Sequence, residues 1–259
     1  MFELFMPPDV VFIIPYRNRV PHKEFFLYYI KKVLDNVSFS FEIYFAHQCD
    51  EREFNRGGTK NIGFLYVKNK YPNDYKNITF VFNDIDTLPY KSGLIDYKTV
   101  KNNVKHFYGF NFALGGIVSI IGEDFEKING FPNFFGWGGE DNTLQERCLV
   151  NNINIDRSNF FEIGDNSILQ LFDSYIKKYD PANISRYLKK RDNDGINTLY
   201  NVNYKCEQND DHFMVNIYSF EGLYKERPEN LIDHDLRTGN QLKSQLHFNK
   251  KKVNRLIFN

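Results

Sequence analysis

The chain is short of the residues that mark secreted, redox and metal-clustered proteins. Its 259 residues hold only three cysteines, Cys49, Cys148 and Cys206, with no CxxC spacing. That excludes a zinc ribbon and a dithiol redox motif, and reads as reduced, buried thiols. Six histidines are scattered with no HxH or HxxxH pair, and no G-x-S-x-G or P-loop pattern is present. No apolar run approaches the ~20 residues of a membrane span. The start, MFELFMPPDVVFIIPYRNR, has neither a basic n-region nor a long apolar stretch. We therefore expect a soluble, cytoplasmic protein. A charge surplus is missing too: Lys+Arg and Asp+Glu are each 33. Nucleic acid is accordingly not an expected partner, although an anionic small ligand could be held by a local arginine cluster.

What is present is a core. The chain is 42% apolar, with 26 Phe and 17 Tyr but a single Trp. VVFIIPY, FEIYFAHQ and ITFVFNDID read as buried strands, and FFLYYIKKVLDN and Asn61 to Lys70 as helices between them. A βαβαβ order implies right-handed crossovers and a mostly parallel α/β sheet with helices on both faces. Ligands of such sheets bind beyond the carboxyl ends of the strands. Three polar segments emerge there: Arg17 to Arg19, Gln48 to Arg56, and Asp84 to Asp86. Further on, NFALGGIVSII reads as a strand, GEDFEKINGF as a short helix, and LQERCLVNN as a helix after a Gly- and aromatic-rich loop. Asp165 to Asp194 is a candidate lid, and NTLYNVNYKCEQNDDHFMVNIYSFE a β-hairpin. One domain over residues 1–225 and a polar tail over 226–259 are expected.

The chemistry concentrates in two motifs. Asp84 and Asp86 end a buried strand, where alternation aims both carboxylates one way. Two acids together suit a hard cation such as Mn²⁺ or Mg²⁺, though a solvated turn would carry the same letters. Gly136-Trp137-Gly138-Gly139-Glu140-Asp141 sets the only Trp among glycines, which allow a ligand close to the backbone. A Trp face suits the C–H face of a sugar ring, and either acid could serve as general base. The competing reading is a core Trp followed by a helix-capping carboxylate. Arg17, Arg19 and Arg56 match phosphate geometry through their guanidinium forks.

From about Val10 to Glu221 the sequence resembles the β-1,4-galactosyltransferase family, glycosyltransferase family seven. IIPYRNR resembles that family's IIPFRNR. Phe54-Asn55-Arg56 matches its FNR, NIGF its NVGF, and FVFNDID its FVFSDVD. INGFPNFFGWGGEDN resembles INGFPNNYWGWGGEDDD, and DGINTLYNV resembles DGLNSLTYQV. The resemblance implies a GT-A-type fold and inverting transfer from a UDP-sugar to an acceptor sugar. It also implies roles. Pro15, Arg17, Arg19, Phe54 and Arg56 line the nucleotide pocket. Asp84 faces the ribose, and Asp86 binds Mn²⁺. Trp137 closes over the donor, Gly139 and Glu140 contact the sugars, and Asp141 is the catalytic base.

Four departures qualify the match. Asn142 stands where the family has an acid that grips the acceptor. Ala113 replaces a Tyr that narrows the donor pocket, so UDP-GalNAc or UDP-GlcNAc should fit as well as UDP-Gal. No His follows as a further metal ligand, which leaves Asp165 as a substitute. Thr79 and, approximately, Thr99 stand where the family has its disulfide cysteines. The alternative to an enzyme is a non-catalytic nucleotide-sugar or glycan-binding module derived from one.

Overall fold

A computed structural model describes residues 6–189 and 193–238. In chain order the elements are β1 (Val10–Tyr16), α1 (Val20–Val33), β2 (Phe41–Gln48), α2 (Arg56–Lys70), β3 (Thr79–Asn83), β4 (Thr87–Pro89), β5 (Asn103–Gly109), β6 (Ile117–Ile121), α3 (Gly122–Lys127) and α4 (Glu140–Val150). They continue as β7 (Asn154–Asp156), β8 (Phe161–Glu162), β9 (Ile168–Gln170), β10 (Ile176–Tyr179), α5 (Pro181–Lys189), β11 (Tyr200–Gln208), β12 (Phe213–Glu221) and β13 (Ile232–Asp235).

Among the described residues nine strands form one sheet in the order β11-β12-β2-β1-β3-β6-β5-β7, with β8 also on β5. The pairs β12–β2, β2–β1, β1–β3, β5–β7 and β5–β8 are parallel; β11–β12, β3–β6 and β6–β5 are antiparallel. This is the mostly parallel sheet the sequence predicts.

β1 is central, and its alternation builds both cores. Val11 and Ile13 pack with Ile62, Phe64 and Val67 of α2, Phe125 of α3 and Leu144 of α4. Val10, Phe12 and Ile14 pack on the other face with Phe26, Ile30 and Val33 of α1. β1 therefore reads as an unbroken apolar run because both of its faces are covered. The chain leaves β1 for β2 on one side and returns past it to β3 on the other. The carboxyl ends of β1 and β3 thus flank a topological switch point, where such sheets bind ligands.

Several predicted boundaries move, for identifiable reasons. α2 starts at Arg56, five residues before the apolar periodicity at Asn61 suggests. Asn55 caps it, its side chain accepting from Gly58 N at 2.7 Å. Two glycines hide that start in the sequence, and Gly57 is required there: a Cβ would collide with the Pro132 carbonyl oxygen. α4 likewise starts at Glu140, inside the expected loop, because carboxylates favour a helix N-terminus. β5 was not expected, nor were the short strands. The candidate lid carries β9, β10 and α5, with residues 190–192 outside the described set. The expected tail boundary is corrected: Ile232–Asp235 pair with β10, register Ile176 to Asp235, so ordered pairing continues past residue 225. Residues 239–259 lie outside the described residues.

Thr99 N donates to Thr79 Oγ1 at 3.4 Å, so the two threonines are neighbours, and all three cysteines are free. Among the described residues no helix is long and apolar enough to cross a membrane.

Candidate active site

The site is assembled on the first turn of α2. Gln48 at the end of β2 organises the loop before it: Asn55 N donates to Gln48 Oε1 at 2.8 Å, and Gln48 Nε2 donates to Asp50 Oδ1 at 2.7 Å and to the Glu53 carbonyl at 3.0 Å. Arg52 lies 4.8 Å from the Phe135 ring and 4.6 Å from the Phe220 ring, and those rings are stacked with each other. Its Nε donates to Asp50 Oδ2 at 2.9 Å, and its carbonyl accepts from the Arg17 guanidinium. Arg17, at the mouth of β1, and Phe54 are thereby tied to one stiff segment.

Arg56 is the hub. Its Nη2 donates to both Asp84 oxygens, at 2.8 and 2.7 Å, and its Nε to Asp84 Oδ1 at 3.0 Å. Its Nη1 donates to Asp141 Oδ2 at 2.8 Å and also to Glu140 Oε1. One turn along α2, Lys60 Nζ lies 3.6 Å from Asp84 Oδ1 and 3.6 Å from Asp141 Oδ1. Three carboxylates from two distant segments thus meet two cations of one helix face.

Asp141 is brought in from α4 by close backbone approach. Leu114 N donates to the Asp141 carbonyl at 3.0 Å. A Cβ on Gly115 would overlap Asp141 Oδ2, so this carboxylate has its present place only because residue 115 is glycine. Asp141 Oδ1 is buried and accepts no hydrogen bond among the described residues, as is true of Glu140 Oε2.

The ionisation of the cluster follows from these contacts. Burial alone would push the Asp84 carboxyl up, but Arg56 and then Lys60 outweigh it and hold Asp84 below the usual range. Asp86 moves the other way: burial, then the charge of Asp84, raise it against the pull of Arg19. Glu140 is raised by burial and by Asp141. Burial disfavours the Arg56 charge, yet Asp141, Asp84 and Glu140 together hold its pKa well above the ordinary value.

Arg19 faces the second acid, with Nη1 3.5 Å from Asp86 Oδ2 and Nη2 2.6 Å from Asp173 Oδ2. The segment after β9 is joined to the same place, because Leu171 N donates to the Asp86 carbonyl at 2.7 Å. Among the described residues no group of three or more His, Cys, Asp or Glu side chains is placed to hold a metal ion. Asp165 is exposed, and its Oδ1 accepts from Ser167 N at 2.7 Å in its own turn. Asp86 fits a cation as a single carboxylate ligand: it has one distant ion-pair partner and a neighbouring acid that a cation would offset. A divalent ion held through one carboxylate completes its shell with water and substrate phosphates.

The remaining expected residues are placed as follows. Pro15 is buried within β1, paired with Ala46. Trp137 is half-buried; its N donates to the Lys178 carbonyl at 2.7 Å, and its indole stacks on His234 at 5.8 Å. Gly139 is the N-cap residue of α4, and Asn142 Nδ2 donates to the Phe112 carbonyl at 3.2 Å. Ala113 is 6% exposed, between Leu114 in the core and the exposed, stacked Phe110–Phe112 pair. Lys60, Arg52, Asp173 and His106 were not singled out from sequence. Only Lys60 carries a signal there: it follows Arg56 by four residues, one helical turn.

Known proteins resemble the chain in the same regions. The N-terminal region of glycosyl transferase group 7 matches residues 6–97, and a family described as the N-terminal domain of galactosyltransferase matches residues 98–169. Beta-1,4-galactosyltransferase 1 of Bos taurus is 30% identical over 209 residues, 74% of this chain and 50% of its own length. The Homo sapiens protein is 32% identical over 166 residues, 59% of this chain and 40% of its own. The chain spans half or less of the length of these curated relatives. Among solved structures, the catalytic domain of Drosophila beta1,4galactosyltransferase 7 in complex with xylobiose superposes with a TM-score of 0.64 at 19% identity, covering 81% of this chain and 93% of that one. A mutant of that enzyme, solved with manganese, UDP-Gal and xylobiose, matches equally well.

Proposed function

Because the chain belongs to the β-1,4-galactosyltransferase family, we propose that it is an inverting glycosyltransferase moving a hexose or N-acetylhexosamine from a UDP-sugar to an acceptor sugar hydroxyl. The observation that carries this reading is the Asp141 carboxylate. One oxygen is fixed on Arg56, and the other is buried with Lys60 Nζ at 3.6 Å but no hydrogen bond among the described residues. An unpaired buried acceptor costs about 1–3 kcal/mol. An acceptor hydroxyl donating to Oδ1 would remove that cost and stand in place for deprotonation.

The reaction is a displacement at the anomeric carbon. As the acceptor oxygen forms its bond to that carbon, its proton passes to Asp141 Oδ1, and the carbon's bond to the UDP oxygen breaks with inversion. Arg17 and Arg19 lie at the carboxyl end of β1 and meet the diphosphate, whose charge rises as the bond breaks. Mn²⁺ would be held by Asp86 and would supply further stabilisation of that developing charge. Trp137, above the start of α4, flanks the transferred sugar. Ala113 is 6% exposed, so a larger side chain there would test packing as well as donor fit. Donor choice is therefore tested on the unmodified protein, with UDP-GalNAc and UDP-GlcNAc expected to match UDP-Gal.

The experiment measures UDP release from those three donors, with and without a panel of mono- and disaccharide acceptors, xylobiose included. Acceptor-dependent release supports the enzyme. Donor binding with no release under any condition supports the binding module. Asp141→Asn should lower turnover at least ~100-fold with UDP affinity unchanged; near-normal turnover would overturn the assignment.

A further inference from the structure

Lys60 is a charged side chain that the chemistry above does not use. It is 1% exposed, on the α2 face that carries Arg56. Its ammonium lies 3.6 Å from Asp84, 3.6 Å from Asp141 and 4.5 Å from the centre of the Phe131 ring. Burying an ammonium costs several kcal/mol unless it is paired, and an apolar side chain of the same length would avoid that cost against Phe131. A charge kept at this position points to a use for it.

The groups facing Asp141 define that use. α2 contributes Arg56 and Lys60, the end of β3 contributes Asp84, and α4 contributes Glu140. β5 contributes His106, uncharged, held through the Gly115 carbonyl. Arg56 is shared among three carboxylates, so it does not by itself offset the charge gathered around Asp141. Lys60 is the second cation, and it lies 3.6 Å from Oδ1, the oxygen left without a hydrogen bond.

We propose that Lys60 is a positioning residue for the base: its ammonium, bridging Asp84 and Asp141, holds the Oδ1 side of the Asp141 carboxylate, while Arg56 holds the Oδ2 side. The inference rests on Asp141 being the base. It assigns to a buried lysine the task of orienting that base and offsetting the negative charge of the two acids beside it.

The test follows single-turnover transfer from UDP-Gal against pH, using the best acceptor of the panel. In Lys60→Met the midpoint of the acid limb should rise by about one pH unit or more, so rates measured well below the midpoint fall about tenfold or more while those above it change little. The alkaline plateau should stay within about threefold, and the affinity for UDP, which also reports folding, should be unchanged. A merely structural role would lower the rate alike at every pH, or weaken UDP binding, and either result overturns the proposal. An unmoved acid limb in the folded variant does the same. Lys60→Arg, which keeps the charge, covers the case in which Lys60→Met does not fold: an unmoved limb supports the proposal, and a limb displaced by a unit overturns it. Asp141→Asn separates the two levels. If that variant retains turnover, the reading of the base fails; if it is inactive and the Lys60→Met limb is unmoved, only the role of Lys60 fails.

Discussion

Arg56 touches three carboxylates at once, and the site's stability and its chemistry both pass through that side chain. Breaking a buried ion-pair network by removing one partner costs about 3–5 kcal/mol, so an Arg56 variant would confound folding with function. Asp86 is the cleaner probe, since among the described residues its ion pairing is the single 3.5 Å contact with Arg19. Mn²⁺ should raise UDP affinity in the unmodified protein, and Asp86→Ala should abolish that gain while leaving metal-free affinity within about threefold. Equal affinity with and without metal in the unmodified protein would rule out Asp86 as a ligand. His106 makes a different prediction. Burial, then Arg157, push its imidazole down to about 4. Arg157 Nε donates to Nδ1 at 3.0 Å, and Nε2 lies 3.1 Å from the Gly115 carbonyl. A neutral ring is what this bonding needs. Between pH 4 and its ordinary value of 6.5 the unfolded chain binds a proton that the folded chain does not, so stability falls as pH falls through that window. The full loss is about 3 kcal/mol. Urea midpoints should drop from pH 7 to pH 5 in the unmodified protein and drop less in His106→Gln; parallel curves would contradict it.

At the scale of the element, the start of α2 joins fold to site. Asn55 caps the helix, donates to the Asn133 carbonyl at 3.0 Å, and stands between Phe54 and Arg56. Asn55→Ala should cost about 1–2 kcal/mol in thermal or urea unfolding and weaken UDP binding, whereas an exposed helix-capping loss elsewhere would change stability alone. This helix also shows what the sequence can and cannot reveal. The strands β1, β2 and β3 were legible because full burial writes itself as unbroken apolar runs. The FNR and WGGED segments were legible as letters, and they do meet, through Arg56. The start of the helix was not, because Gly57 and Gly58 read as breakers until the Pro132 carbonyl is seen packed against Gly57 and the Asn55 cap against Gly58. β5 was missed because a polar residue, His106, takes a buried position in it, leaving only Val104, Phe107 and Tyr108 as its apolar signal. The pairing of Asp173 with Arg19 joins residues 154 positions apart and has no local signal.

For the whole molecule, covalent cross-links are not part of the design. The three cysteines are free, and the Thr79–Thr99 contact is only a hydrogen bond. Dithiothreitol should leave the melting temperature within about 1 °C, whereas a fall of several degrees would reveal a disulfide. The sheet order carries a further consequence, for the birth of the chain. β2 is flanked on one side by β1, made just before it, and on the other by β12, whose Phe213 pairs with Tyr44. The ribosome has therefore finished β2 long before its outer neighbour exists. At about 5–20 residues per second, β2 waits roughly ten to thirty seconds with a row of amides and carbonyls open to any other nascent strand. The hairpin of β11 and β12, the last strands of this sheet to be made, closes that edge, so chaperone demand during synthesis should be set by when this hairpin emerges rather than by the segment that carries β1 to β3.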